Sequence, residues 1–363
     1  MEARTTAAPP PTPSTQTNSH LVTSAAAADV LSRLLHRLPP TLSSLPSRRS
    51  PPSTTSPPVI SLSDQNPSDA LLSASSQLGF FQLTNHNIPS QLASSSESEA
   101  SSLFELDEDK KESSFPRKWP LGFEGDEDGN GEESFWLDSN ALTESSDLGL
   151  ASLGELTRAM EKLGLQVVEM LANAIGFENP FKDPTRFCPL MWLHEDMHGE
   201  GIDKPVMSGG FYPYVVGLEY QIRSRKCSLL TDSGWVTVLP QVDSVMVTIG
   251  DIAQVWSNGK LKKVKGKPTP SPVGGYSSRC ISMWLLVTLP LQSTISPLLP
   301  LTIDDGSEDE EDASKDVDEE KDPEDDSFKS QKRLFSSFSF EDYARRVYDE
   351  PLLFKDPLDR YRI

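Results

Sequence analysis

The densest group of chemistry-bearing side chains in this sequence is His194-Glu195-Asp196-Met197-His198. Read as H-E-x-x-H, it is the pattern in which one helix face offers two imidazoles to zinc and the glutamate acts as base. A zinc hydrolase is therefore one alternative. The surroundings oppose the helix that this pattern needs. Pro189 lies five residues before it, Gly199 and Gly201 follow it, and the run Arg186–Leu193 reads as strand. Lys204 stands where the extended zinc pattern places a third histidine. Outside a helix the same residues form a polar loop. The chain has five histidines, His20, His36, His86, His194 and His198, so none follows His198. Cys188, Cys227 and Cys280 show no paired spacing, which fits a reducing compartment and no disulfide framework. No Gly-rich phosphate loop, Ser-His-Asp order or Cys-His nucleophile pattern stands out.

The elements that must position these residues are clearest between Gly217 and Pro290. Short β-branched and aromatic runs such as Trp235–Val238, Val245–Ile249 and Ile281–Thr288 alternate with Gly, Pro, Asn, Asp and Ser. That is the signature of successive antiparallel strands in a sandwich or barrel. Upstream, Pro58–Ser63 predicts a short strand, Asp69–Leu78 a helix, Gly79–Pro89 a strand with a turn, and Ala100–Ser113 a further short helix. Leu142–Ile175 is the longest helical block. Its apolar residues recur at three- and four-residue spacing, a core-facing stripe, and Gly176 stops it. Thr185–Leu193 predicts a strand leading to a loop at Gly199–Gly210. Phe338–Arg346 predicts a C-terminal helix, with Ser339, Glu341 and Asp342 near its start.

Much of the remainder lacks the composition of a packed core. Residues 1–57 are dominated by Ser, Thr, Pro and Ala, apart from an amphipathic stretch at Ala25–Leu38, and read as a disordered leader. Ser94–Ser102 and Glu124–Ser134 are further low-complexity patches. The formal charge of −21 is concentrated in Asp304–Asp326, where fifteen acidic residues face two lysines. Such a block reads as a solvated loop. The remainder is only mildly acidic, so no nucleic-acid partner is expected. The basic run Lys260–Lys267 reads as protection of a strand edge. Met283–Leu301 is broken by three prolines and no membrane span is expected. The expected location is cytoplasmic, with nuclear or plastid placement left open because the leader has transit-peptide composition. The partner is unknown, and the acidic segment is the candidate for engaging a protein.

Pro58–Ser63 followed by GFFQLTNHNIP at Gly79–Pro89 resembles the N-terminal region of the plant 2-oxoglutarate- and Fe(II)-dependent dioxygenases (isopenicillin N synthase-like). There, P-x-I-D-L precedes G-F-F-x-x-x-N-H-G-I-P. Asn87 replaces the usual Gly, and asparagine also tolerates a left-handed backbone. VGLEYQ at Val216–Gln221 is similar to the family's G-G-L-Q-V turn. GWVTVLP at Gly234–Pro240 is similar to G-x-W-x-x-V-x-P. VTIGDIAQVWSNGKLKKV at Val247–Val264 is similar to V-N-I-G-D-x-L-x-x-x-S-N-G-x-Y-K-S-V. The resemblance covers most of Pro58–Pro290. It implies a mainly β fold with flanking helices around a double-stranded β-helix (jelly roll) core. The domains are then 1–57 leader, 58–180 dioxygenase N-terminal-like helical region, 181–300 jelly-roll core, 301–333 acidic loop, and 334–363 C-terminal helix and tail.

The resemblance implies Fe(II) held by a His-x-Asp pair and a distal His, and 2-oxoglutarate held by an Arg-x-Ser pair. Here the pattern breaks. Gly266 stands where the distal His follows the SNG motif, and glycine has no ligand atom. The residues before the VGLEYQ segment, Gly209–Val216, contain neither His nor carboxylate. His194 and Asp196 form a His-x-Asp pair further upstream and are the metal-ligand candidates. Arg279 and Ser282 are three apart rather than two. Only a β-bulge would bring both to one face as the carboxylate clamp. The expectation is a dioxygenase-like protein whose catalysis is impaired or absent, with Fe(II) and 2-oxoglutarate as cofactors only if the site functions. The alternatives are an active 2-oxoglutarate-dependent dioxygenase with an altered metal site, and the zinc hydrolase.

Overall fold

The computed structural model describes residues 54–125, 133–144, 146–196, 211–270, 280–298, 333–349 and 356–363. The expected amphipathic stretch at 25–38, the loop at 199–210 and the acidic block at 304–326 lie outside these residues. The strands are β1 (Thr54–Thr55), β2 (Val59–Ser61), β3 (Phe80–Thr84), β4 (Gly122–Glu124), β5 (Ser134–Leu137), β6 (Cys188–Asp196) and β7 (Val216–Tyr220). They continue as β8 (Cys227–Thr231), β9 (Gly234–Val238), β10 (Val245–Ile249), β11 (Lys265–Pro270), β12 (Cys280–Thr288), β13 (Thr294–Ile295) and β14 (Phe338–Ser339). The helices are α1 (Pro67–Gln77), α2 (Ser90–Phe104), α3 (Glu108–Ser114), α4 (Ser139–Glu144), α5 (Ala151–Ile175), α6 (Asp251–Trp256) and α7 (Phe340–Asp349). No helix among the described residues is long and apolar enough to cross a membrane.

Two sheets form a jelly roll. One has the order β2-β3-β10-β7-β12-β6-β5-β4, the other β1-β9-β8-β11. Their facing sides meet in a cluster of Phe80 and Met246 from the first sheet and Cys227, Leu229 and Val238 from the second. Residues paired across a ladder share a face. The inward face of the large sheet therefore carries Phe80, Met246, Glu219, Trp284, Trp192 and Trp136 in one continuous row system. The outward face carries Leu218, Leu285 and Val287, and α5 packs there: a methyl on Gly164 would meet all three side chains.

Helix α5 buries Leu153, Leu156, Met160, Leu163, Val167 and Leu171, the stripe expected from its spacing. The helical block does not run unbroken from Leu142. Gly149, at φ +68°, separates α5 from the short α4 and a 3-10 turn at Ser146–Leu148. The first turn of α5 is capped from outside its own segment. Glu99 Oε1 and Oε2 accept from the Ser152 and Leu153 amides at 3.0 and 2.8 Å, a carboxylate at the positive end of the helix dipole. Gly176, at φ +89°, closes it.

Four expectations need correction. Ser94–Ser102 lies within α2 and is packed, with Ala93, Ser96, Ala100, Leu103 and Phe104 on its buried side. Its serine hydroxyls bond back to carbonyls four residues earlier, which satisfies them within the helix. Val216–Gln221 is not a turn. Its first five residues form a central strand between β10 and β12. The turn before Trp235 belongs to the β8–β9 hairpin, which closes at Thr231 and Gly234. The strand expected to end near Leu193 continues through His194 to Asp196. The basic run is not uniformly a solvated edge: Lys263 is 1% exposed. Asn85 and Asn87 both adopt positive φ in the turn after β3, as the asparagine at position 87 permits.

Candidate functional site

The site is built on β6 and β12, paired in continuous register from Asp196–Cys280 to Cys188–Thr288. The bulge that would realign the Arg279–Ser282 pair does not occur within this ladder, and Arg279 itself lies outside the described residues. His194 stands opposite Ser282, Trp192 opposite Trp284. Because strand residues alternate, His194 and Glu195 point to opposite faces. His194 is buried on the inner face, stacked at 5.5 Å on Trp192. Glu195 is buried on the side where α5 lies. The zinc-hydrolase arrangement is thus overturned, because it requires His194 and Glu195 on a helix that presents two imidazoles together. Asp196 is the last residue of β6, opposite Cys280, and His198 lies outside the described residues.

Two kinds of neighbour surround His194. One is aromatic. Trp136 and Trp192 stack at 5.2 Å and 13°, and with Trp284, Phe211, Tyr212, Tyr214 and Leu286 they line a small cavity. Its space is on the order of a single water molecule. Phe211–Tyr214, the segment entering β7, fills this part of the interior with rings. Tyr214 bonds Thr248 Oγ1 at 2.9 Å, and burial raises its phenol far above the ordinary tyrosine value. The other kind is polar. Ser282 Oγ accepts from Arg225 Nη2 at 2.8 Å, and Gln221 Nε2 donates to Glu219 Oε2 at 2.8 Å. Cys227 lies close to Glu219 and Arg225. Burial first, then Glu219, push its thiol up to about 12, so it is not a thiolate at neutral pH. Burial likewise pushes Cys188 up to about 11.

Fe(II) in an oxygenase of this kind takes two imidazoles and a carboxylate. The described residues contain two imidazoles. His194 faces inward, whereas His86 is committed to the turn after β3. There its Nδ1 accepts from the Ile88 amide and its Nε2 bonds the Asp243 carbonyl. Gly266 lies within β11 and offers no donor atom. Among the described residues no three His, Cys, Asp or Glu side chains are grouped closely enough to hold a metal ion. The donor set present there does not fit Fe(II).

The motifs around the site have structural roles. Gly250 lies against the Tyr214 backbone, where a Cβ would overlap the carbonyl oxygen. Asp251 pairs with the buried Lys263, which also bonds Asp356 Oδ1 at 2.7 Å. Ser257 Oγ accepts from the Leu261 amide, Asn258 Oδ1 accepts from the Leu334 amide, and Gly259 takes φ +82°. No sequence pattern marks Arg225, and Lys263 is marked only as one lysine of the basic run 260–267, with nothing to set it apart from its neighbours.

Residues 57–163 match the family described as non-haem dioxygenase in morphine synthesis N-terminal. Gibberellin 2-beta-dioxygenase 1 of Pisum sativum is 26% identical over 266 residues, covering 66% of this chain and 79% of its own. The solved dioxygenase for auxin oxidation of rice superposes with a TM-score of 0.62 at 19% identity, covering 84% of this chain and 99% of its own. JOX2, solved in complex with 2OG, Fe and JA, superposes with a TM-score of 0.62 at 17% identity, covering 91% and 97%. The motif order, the jelly roll and these likenesses agree: in sequence and in fold the chain is similar to the 2-oxoglutarate- and Fe(II)-dependent dioxygenases.

Proposed function

We propose that this chain keeps the dioxygenase fold without its oxidative chemistry and acts as a binding or regulatory protein. The observation that carries this reading is Gly266. It stands where the resemblance calls for the distal iron ligand, and no histidine follows His198 in the sequence. The aromatic filling around His194 supports it, because rings occupy space that an open metal site with room for oxygen and a co-substrate requires. A chelate reduced to one imidazole and at most one carboxylate holds Fe(II) weakly. Anaerobic titration with Fe(II), followed by measurement of succinate release from 2-oxoglutarate, tests this. The expected outcome is weak iron binding and no turnover. Stoichiometric binding at micromolar affinity, with turnover abolished by His194→Ala, overturns it.

One observation favours a second reading, an oxygenase with an altered metal site. His194 faces the barrel interior, and Asp196 closes the same strand. Succinate release that depends on this chain and is lost in His194→Ala decides for it.

A further inference from the structure

Asn258-Gly259 is the one Asn-Gly pair among the described residues. An asparagine before glycine is the pairing most open to loss of its side-chain amide, because glycine has no Cβ to shield the backbone nitrogen that attacks. The reaction is internal. The Gly259 nitrogen gives up its proton to solvent and bonds to Asn258 Cγ. The Cγ–Nδ2 bond breaks and, with a proton regained, ammonia leaves. Water then opens the cyclic imide at either carbonyl, giving aspartate or isoaspartate. Nothing is oxidised or reduced. The isoaspartate carries an extra methylene in the backbone.

In the fold both reacting groups are engaged. Asn258 takes the left-handed position just after α6, at φ +50°. Its N–H donates to the Val255 carbonyl at 2.9 Å, and the Gly259 N–H donates to the Gln254 carbonyl at 2.8 Å, the pair of bonds that closes a helix end. The nucleophilic nitrogen is thus turned back on the helix. Asn258 Oδ1 accepts from the Leu334 amide at 2.8 Å, which fixes the carboxamide under attack. A Cβ on Gly259 would lie 3.0 Å from Leu334 Cδ1, so Leu334 also covers the glycine. Leu334 is itself 42% exposed, and its carbonyl accepts from the N–H of Ile363, the last residue, at 3.0 Å. The cover on Asn258 is therefore a surface segment tied to the chain end. Such segments open far more often than the whole fold does.

We propose that Asn258 is a gated modification site. Its amide survives while Leu334 is docked and is lost when that segment lifts. The isoaspartate then keeps the segment off, because the added methylene moves the acceptor away from the Leu334 N–H. The test is to age the full chain in mildly alkaline buffer and to follow the peptide containing Asn258 by the mass gained when an amide becomes an acid. The same chain unfolded in urea gives the ungated rate. The native chain is expected to react more than about tenfold more slowly. Leu334→Pro, which lacks the N–H, is expected to speed the native reaction by about fivefold, the equivalent of one hydrogen bond. Equal rates in buffer and urea overturn the gate, and an unchanged rate in Leu334→Pro overturns Leu334 as its cover. If Leu334→Pro does not fold, Ile363→Pro removes only the N–H that holds the Leu334 carbonyl, at a residue 71% exposed. An unchanged rate there overturns the cover equally. Aged chain enriched in isoaspartate is expected to exchange the amide hydrogens of residues 333–336 faster than fresh chain, and equal exchange overturns the lasting release of the segment.

Discussion

Lys263 and Asp356 meet at 2.7 Å across 93 residues of sequence, with the lysine 1% exposed. Asp251 completes the group, so one buried ammonium joins the start of α6 to the C-terminal segment. Burial opposes the charge on Lys263, but Asp251 and Asp356 outweigh it and raise its pKa. Burial also opposes the charge on Asp356, and Lys263 outweighs it and lowers that pKa. Removing one member of such a group leaves the others charged and unpaired. Lys263→Met is expected to cost about 3–5 kcal/mol. Adding Asp251→Asn and Asp356→Asn recovers part of it. Urea denaturation of the three proteins measures this, and a loss under about 1 kcal/mol contradicts the assignment. The pH signs follow from the two directions. The Asp356 contribution is complete above 3.8 and lost as pH falls through its lower folded value. The Lys263 contribution is complete below 10.5 and lost as pH rises through its higher one.

His86 accepts from the Ile88 amide through Nδ1 at 3.2 Å, so Nε2 carries the hydrogen donated to the Asp243 carbonyl at 3.0 Å. Burial lowers its pKa below 6.5, against smaller opposing effects of Asp243. A base with a depressed folded pKa contributes stability above its unfolded value that is lost on acidification. Melting temperature should therefore fall more steeply between about pH 7.5 and 5 in the native chain than in His86→Gln. Parallel profiles would remove His86 as the cause.

Gly164 sits in the interior of α5, where alanine normally stabilises by about 1 kcal/mol. Here a Cβ would lie 2.6 Å from Val287 Cγ2, a short, stiff side chain in the sheet. Overpacking outweighs propensity, and Gly164→Ala is expected to destabilise by about 1–3 kcal/mol. Combining it with Val287→Ala should cost less than the sum of the two single changes. Additive losses would place the cause elsewhere.

Gly250 precedes α6 at the point where the Tyr214 backbone passes. Gly250→Ala must displace backbone rather than a flexible side-chain end. The expected loss is about 3 kcal/mol or more, with reduced soluble yield. Near-native thermal stability of this variant would show that the two segments separate easily.

The fold was legible because its landmarks are closely spaced along one stretch. Gly250 and Asp251 open α6, and Asn258 and Gly259 take positive φ just beyond it, so their spacing survives in sequence although the partners of Gly250, Asp251 and Asn258 lie elsewhere in the chain. Asn87 shows the same logic, since its left-handed backbone is a local property. The Ser-rich helix was hidden because its stability comes from packing against α5 rather than from its own composition. The site was less legible. That His194 faces inward depends on how far β6 extends beyond Leu193, which apolar periodicity leaves undefined. Arg225 reaches Ser282 only after two distant segments are folded together. Lys263 is indistinguishable in sequence from the lysines around it, although its environment is the opposite of theirs.

The β13–β14 pair carries a consequence of its own. Thr294–Ile295 lies beside Phe338–Ser339, and the residues between them leave and return through adjoining strands. A nick anywhere inside that excursion would sever the chain without releasing its end. Phe340, Tyr343, Ala344 and Val347 would remain buried in the same body, and Lys263 would remain paired with Asp356. The protein would become a two-piece complex, separable on a denaturing gel and co-eluting under native conditions.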